Sequence, residues 1–222
     1  MYILRFLKIL HHYQGEILVS AYVAVFNCFN LSLLKGNILQ HSALVSQYLK
    51  QLKILTATTA RPVLDLACGS GRNGLYLIEN DIPVTFADVN YAAIEQVQQY
   101  ASLANNKQQA DFWSVDFEQV GETPLAGKSF AAIMVFRYLH RPLFEQIKRA
   151  ILPNGLIIYE TFTTAQAQFG RPKNADFLLK AGELADIFAD WQIIHCFEGI
   201  VESANDNSQK QAIAQIVARK PK

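Results

Sequence analysis

Carboxylates and glycines spaced so that they can meet at strand tips are the most informative residues of this sequence. The run Val63-Leu64-Asp65-Leu66-Ala67-Cys68-Gly69-Ser70-Gly71-Arg72-Asn73-Gly74 fits GxGxxG at Gly69, Gly71 and Gly74, directly after an apolar segment of strand length. Such a turn lets the backbone approach a nucleotide-like ligand, because a side chain at Gly69 or Gly71 would hold that ligand away. The glycines do not say whether the ligand carries a pyrophosphate. Asp65 does, since a carboxylate four residues before the first glycine would repel phosphate but favour an ammonium or a sulfonium. That charge preference points to S-adenosylmethionine. Asp65 tying down the amides of its own loop is a second reading, compatible with the first. Asp88 follows Gly71 by seventeen residues, where a carboxylate can accept from both hydroxyls of a ribose. Asp116 closes a further apolar run. It could accept from an adenine amino group, with the Phe117 amide serving a ring nitrogen. Each aspartate alone reads equally well as a cap or a turn residue. Together they define a cofactor site, and Ala67, Asn73 and Val89 in the same turns, with Phe136 at the end of the fourth strand-like run, count with it.

A second polar group follows the fourth strand-like run: Phe136-Arg137-Tyr138-Leu139-His140-Arg141-Pro142. Methyl transfer from a sulfonium needs alignment, a dry pocket and, for some acceptors, removal of one proton. Arg137, Tyr138, His140 and Arg141 could bind an anionic acceptor, with His140 or Tyr138 taking the proton. On the plainer reading, His140 and Arg141 organise the start of the Pro142 helix and Tyr138 packs. Glu160 and Arg171 could reach the same cavity, so Arg137, Tyr138, His140 and Arg171 are the catalytic candidates. The fourth strand ends Val135-Phe136-Arg137-Tyr138, without the Asn/Asp-Pro-Pro-aromatic sequence of nucleic-acid amino methyltransferases. Cys28, Cys68 and Cys196 are too dispersed for an arsenic-type thiol relay or a zinc site, and no metal is expected. A small acceptor is favoured, a chalcogen oxyanion or a carboxylate among the options.

To bring these residues together, the chain must place successive strand ends side by side. From residue 41 apolar runs of strand length alternate with helical segments, the pattern of a doubly wound, mostly parallel sheet of seven strands. Helices are expected over Ser42 to Ile54, from the glycine turn to Asn80, over Tyr91 to Leu103, from Pro142 to Leu152 and over Gly182 to Ala189. Strands are expected at Pro62–Leu66, Pro83–Ala87, Phe112–Val115, Phe130–Phe136 and Leu156–Tyr159. The last two, Trp191–Phe197 and Ala212–Ala218, flank a loop Glu202–Lys210 and form a C-terminal antiparallel hairpin.

Composition agrees with one such domain. The 222 residues are 51% hydrophobic, enough for a sizeable core, and 20 basic against 19 acidic residues leave a net charge of +1. No strong field exists to draw nucleic acid or anionic lipid. Three unpaired cysteines suit a reducing cytoplasm. Residues 1–40 form an apolar extension ahead of the domain at 41–222. Within it, residues 17–34 carry no charge and stand at the short limit of a membrane span, interrupted by Ser20, Asn27, Asn30 and Ser32. Weak membrane contact there competes with packing on the domain.

Over about residues 42 to 219 the sequence resembles the class I S-adenosylmethionine-dependent methyltransferases. Gly69 to Leu77 is similar to the loop of the tellurite-resistance methyltransferases, and Ala181-Gly182-Glu183-Leu184 with Phe188 and Trp191 to a later segment of that group. The resemblance implies a Rossmann-like fold and cofactor roles for Asp65, Gly69, Gly71, Asp88 and Asp116. Ala67 departs from the glycine many relatives carry. Two other functions compete: a non-catalytic S-adenosylmethionine-binding protein, and an NAD-binding oxidoreductase using the same glycines and Asp88.

Overall fold

A computed structural model describes residues 40–103, 109–203 and 206–222. The extension at 1–40, including the uncharged stretch 17–34, lies almost wholly outside them. Among the described residues no helix is long and apolar enough to cross a membrane.

The chain opens with α1 (Ala43–Gln47) and α2 (Leu49–Thr59), two helices where the sequence suggests one. There follow β1 (Val63–Leu66), α3 (Arg72–Glu79), β2 (Val84–Asp88), α4 (Tyr91–Leu103), β3 (Ala110–Ser114) and β4 (Phe130–Phe136). The second half contains α5 (Phe144–Ala150), β5 (Ile151–Phe162), α6 (Glu183–Ile187), β6 (Gln192–Ser203) and β7 (Asp206–Arg219). The strands form one sheet in the order β3-β2-β1-β4-β5-β7-β6. The first five are parallel, and β7 runs antiparallel to both β5 and β6. The expected doubly wound fold with a terminal hairpin is the one observed. The carboxyl ends of β1, β2 and β4 therefore lie side by side, and the order reverses at β1, where a crevice must open.

β1 and β4 are buried along their whole length, so, Asp65 apart, they read as apolar runs with no alternation. Leu64 and Leu66 face one layer of core with Ile133, Val135, Ile157 and Tyr159, completed by Phe144, Phe188 and Trp191 from the helical side. By strand alternation Asp65 points to the other face, level with Phe86 and Met134 of its neighbours.

Boundaries differ from expectation in the second half. The helix after Pro142 begins as a 3-10 turn, Arg141–Leu143, and ends at Ala150 instead of Leu152. β5 starts at Ile151, and Pro153-Asn154-Gly155 forms an irregularity inside it rather than a turn before it. Its register jumps from Phe130 opposite Ile151 to Ala132 opposite Leu156, and Asn154 supplies a left-handed φ of 64°. The final hairpin is also longer than the apolar runs suggest, because pairing continues to Ser203 opposite Asp206. β6 is an edge strand with alternately exposed side chains, so polar residues there do not interrupt the ladder.

Candidate active site at the strand tips

β1 ends in a turn whose backbone is held from both sides. Cys68 N donates to Ala87 O (3.0 Å), and Gly69 N donates to Asp88 Oδ2 (2.8 Å). The other oxygen of Asp88, Oδ1, accepts from Asn90 N (2.8 Å). Each carboxylate oxygen retains acceptor capacity, which is the provision two ribose hydroxyls need. Val89, 65% exposed, stands beside it as an apolar surface. Val115 N donates to Asp88 O (3.0 Å), so the tip of β3 follows the same edge, and Asp116 Oδ1 accepts from Glu118 N (2.8 Å). Phe117 is buried, edge-on to Trp113 at 5.5 Å.

The three glycines of the turn serve different needs. Gly69 has φ +53°, and a Cβ there would meet nothing within 4 Å, so it borders open space in which a ligand can lie. Gly71 has φ +68°, but a Cβ there would come within 2.8 Å of both γ-carbons of Val97; its missing side chain makes room for α4 rather than for a ligand. At Gly74 a Cβ would lie 2.3 Å from Phe86 Cε1 and 2.9 Å from Asp65 Oδ2, so this position seats α3 on the sheet. Ala67 is left-handed at φ 52°, a conformation glycine holds without strain and alanine holds at about 1 kcal/mol. Asn73 is buried, and its Oδ1 accepts from Ser42 N (2.9 Å), tying α3 to the start of α1.

Asp65 is only 3% exposed and accepts from Gly74 N (2.9 Å), so it does hold its own loop. Burial pushes its carboxyl up to about 7, against the Gly74 amide and the Arg72 charge, which pull it down. The folded state thus favours the neutral acid. Its contribution to folding is full below the ordinary carboxylate range and is lost as pH rises through about 7. A cationic ligand beside it would favour the carboxylate and release its proton. S-adenosylmethionine affinity should then rise with pH up to about 7, by at most about tenfold per unit, and level off above. Asp65→Asn should flatten this slope in calorimetric titrations; an unchanged slope would mean that Asp65 does not face the cation.

The acceptor candidates separate into two groups. Arg137 and Tyr138, just past β4, line a cavity of about 420 Å³ together with Glu118, Leu139, Phe162, Arg171, Pro172 and Phe177. Arg137 takes a left-handed φ of 58° after Phe136, with its amide donating to Glu160 O (2.8 Å). Its Nη2 donates to Gln211 Oε1 (2.9 Å) and lies 3.2 Å from Glu160 Oε1, while its guanidinium carbon sits 4.4 Å from the centre of the Phe162 ring. Nη1 is buried without a hydrogen-bond partner, and so is the Tyr138 hydroxyl. Burial raises the Tyr138 phenol most, the Glu118 carboxylate close beside its hydroxyl adds to it, and the charges of Asp116 and Asp88 contribute less. A phenol raised in this way holds its proton, so its hydroxyl is available as a hydrogen-bond donor.

His140 is not among the residues lining this cavity; its carbonyl starts the 3-10 turn by accepting from Leu143 N (3.0 Å). Arg141 grips both oxygens of Glu183 (2.6 and 2.9 Å) and the carbonyls of Asp176 and Leu178, a structural role. Glu160 does not line the cavity either. It sits behind Arg137, with Oε2 accepting from Gln215 Nε2 (2.6 Å), and Gln215 in turn meets His195 Nε2 at 3.0 Å. Arg171 is brought in by Gln166, whose Oε1 accepts from Ala212 N (2.8 Å) and whose Nε2 donates to Arg171 O (3.2 Å). Sequence reasoning missed Glu118, Phe162 and Phe177. Glu118 stands two residues from Asp116 and was legible; Phe177 arrives from a distant 3-10 turn that nothing local announces.

An open sheet ordered 3-2-1-4-5-7-6, with only β7 reversed and strand-tip carboxylates around a glycine turn, is the architecture of the S-adenosylmethionine-dependent methyltransferases. Solved structures of that class align with most of the chain. N-methyltransferase NodS from Bradyrhizobium japonicum WM9, in complex with S-adenosylhomocysteine, is 15% identical with a TM-score of 0.55, over 82% of this chain and 89% of that one. Within the class, the chain belongs to the family of the tellurite resistance protein TehB, whose model matches residues 38–216. TehB from Haemophilus influenzae is 21% identical with a TM-score of 0.61, over 77% of this chain, which spans 62% of that one. The 4+2 cyclase SpnF is 15% identical with a TM-score of 0.56, over 78% of this chain and 80% of that one. No curated protein sequence matches the chain.

Proposed function

We propose that this chain is an S-adenosylmethionine-dependent methyltransferase of the cytoplasm, acting through residues 41–222 on a small-molecule acceptor bound in the cavity beside the β4 tip. S-adenosylmethionine supplies a methyl group on a sulfonium, open to direct displacement. Asp88 would hold the ribose hydroxyls, Val89 an adenine face, Asp116 the adenine amino group with the Phe117 amide on a ring nitrogen, and the Gly69 turn and Asp65 the methionine end. Arg137, Tyr138 and Arg171 would position the acceptor, and the apolar wall would exclude water. The observation that carries the reading is the junction of Asp88 and Gly69: a carboxylate clamps the glycine amide at 2.8 Å, keeps acceptor sites free and borders open space. The family name speaks of tellurite, an oxyanion, and donors on Arg137, Tyr138 and Arg171 suit an anion. A near-neutral net charge and the absence of an Asn/Asp-Pro-Pro sequence disfavour nucleic acid.

Because the fold also carries a protein named as a cyclase, activity needs its own test. Calorimetry should show S-adenosylmethionine binding and NAD failing to bind; tighter NAD binding would turn the reading to an oxidoreductase. Release of S-adenosylhomocysteine with a panel of oxyanions, thiols and carboxylic acids should then identify a turned-over acceptor. Cofactor binding with no release across the panel would leave a non-catalytic binding protein.

A further inference from the structure

The cavity beside β4 contains a directed polar end and an apolar body, and the two together restrict what can fill it. At the polar end stand two buried atoms with no partner, Arg137 Nη1 and the Tyr138 hydroxyl. Both donate in this setting. Buried donors left unsatisfied are costly, so a native site lined by two consecutive residues that each keep one is suited to a ligand that accepts. Their directions are set by neighbours. Nη2 is held by Gln211 and Glu160, which leaves Nη1 as the free arm of a rigid fork, and the Tyr138 carbonyl accepts from the Tyr159 hydroxyl (2.9 Å). Glu160 offsets the Arg137 charge from behind, while Arg171 adds an exposed cation at the rim.

The rest of the lining is Leu139, Phe162, Pro172 and Phe177, with Glu118 on the side that carries Asp116. The volume of about 420 Å³ corresponds to about fourteen waters at ~30 Å³ each and falls in the range of organic-ligand pockets. A bare oxyanion of a few atoms would occupy the polar end and leave the aromatic wall wet. We infer that the acceptor is an organic acid whose anionic group is held by Arg137 Nη1 and Tyr138 Oη and whose apolar body lies against Phe162, Pro172 and Phe177. The inference rests on the methyltransferase reading of the site, but binding tests it without turnover.

The protein is first titrated with S-adenosylhomocysteine, then with benzoate, 3-phenylpropionate and indole-3-acetate, with their amides, and with sodium selenite. The best acid should bind at least about tenfold more tightly than its own amide and than selenite. Phe177→Ala, a trimming at an exposed position, should weaken that acid severalfold and leave selenite unchanged. Tyr138→Phe and Arg137→Lys, which preserve the fold and the charge facing Glu160, should each cost the acid about tenfold. Selenite binding as tightly as every acid, an amide matching its acid, no acid binding at all, or an indifferent Phe177→Ala would each overturn the inference. The first titration is read separately: failure of S-adenosylhomocysteine to bind counts against the methyltransferase reading, while the acid series on the unloaded protein still decides for or against the organic acid.

Discussion

Replacing Asp88 by alanine should weaken S-adenosylmethionine binding about a hundredfold or more, measured by calorimetry, with the protein still folded. Asp88 is asked to do two things at once. It fixes the left-handed Gly69 through the 2.8 Å bond to its amide, and it offers its remaining lone pairs to a ribose. Hydrogen bonds to a charged group contribute about 1.5–3 kcal/mol each, so losing two reaches a hundredfold before the loosened turn is counted. Arg137→Lys should leave this affinity within about twofold, because Arg137 lines the acceptor cavity and not the glycine turn. Equal losses in the two variants would remove the division between cofactor and acceptor sites.

The largest effect on stability is expected from Glu160→Ala. Glu160 is 5% exposed and shares its two oxygens between Arg137 and Gln215. Deleting it strands a largely buried guanidinium and the Gln215 amide, at a cost of about 3 kcal/mol, the low end for a buried pair because Arg137 keeps some solvent contact. For a domain of this size that lowers Tm by about 6–12 °C. Arg137→Met combined with Glu160→Leu should recover much of the loss, since apolar replacement of both partners leaves no stranded charge. If the double variant melts as low as Glu160→Ala, the uncompensated charge is not the cause.

The glycine turn and its carboxylates were legible as one cluster because they are local. Asp65, the glycine turn and Asp88 lie within 24 consecutive positions, and alternation of strands and helices dictates that their tips adjoin. Even there the sequence could not tell which glycine faces a ligand. Gly69 borders open space, whereas Gly71 and Gly74 yield to Val97 and Phe86, side chains of α4 and β2. The polar group after β4 was only half legible. Arg137 and Tyr138 stood out beside β4, but their partners come from Gln211 and Gln215 on a strand whose pairing with β5 nothing local reveals.

By itself, then, the order of residues determined the fold class and the gathering of carboxylates at adjacent strand tips, since hydrophobic period and strand-end position act over short stretches of chain. The tertiary structure alone decided which of four adjacent polar residues enter the cavity. At the left-handed Arg137 the backbone reverses, so that Arg137 and Tyr138 turn inward while His140 opens a 3-10 turn and Arg141 is taken by Glu183, 42 residues away. Side-chain direction at such a reversal is set by long-range partners, and no periodicity encodes them.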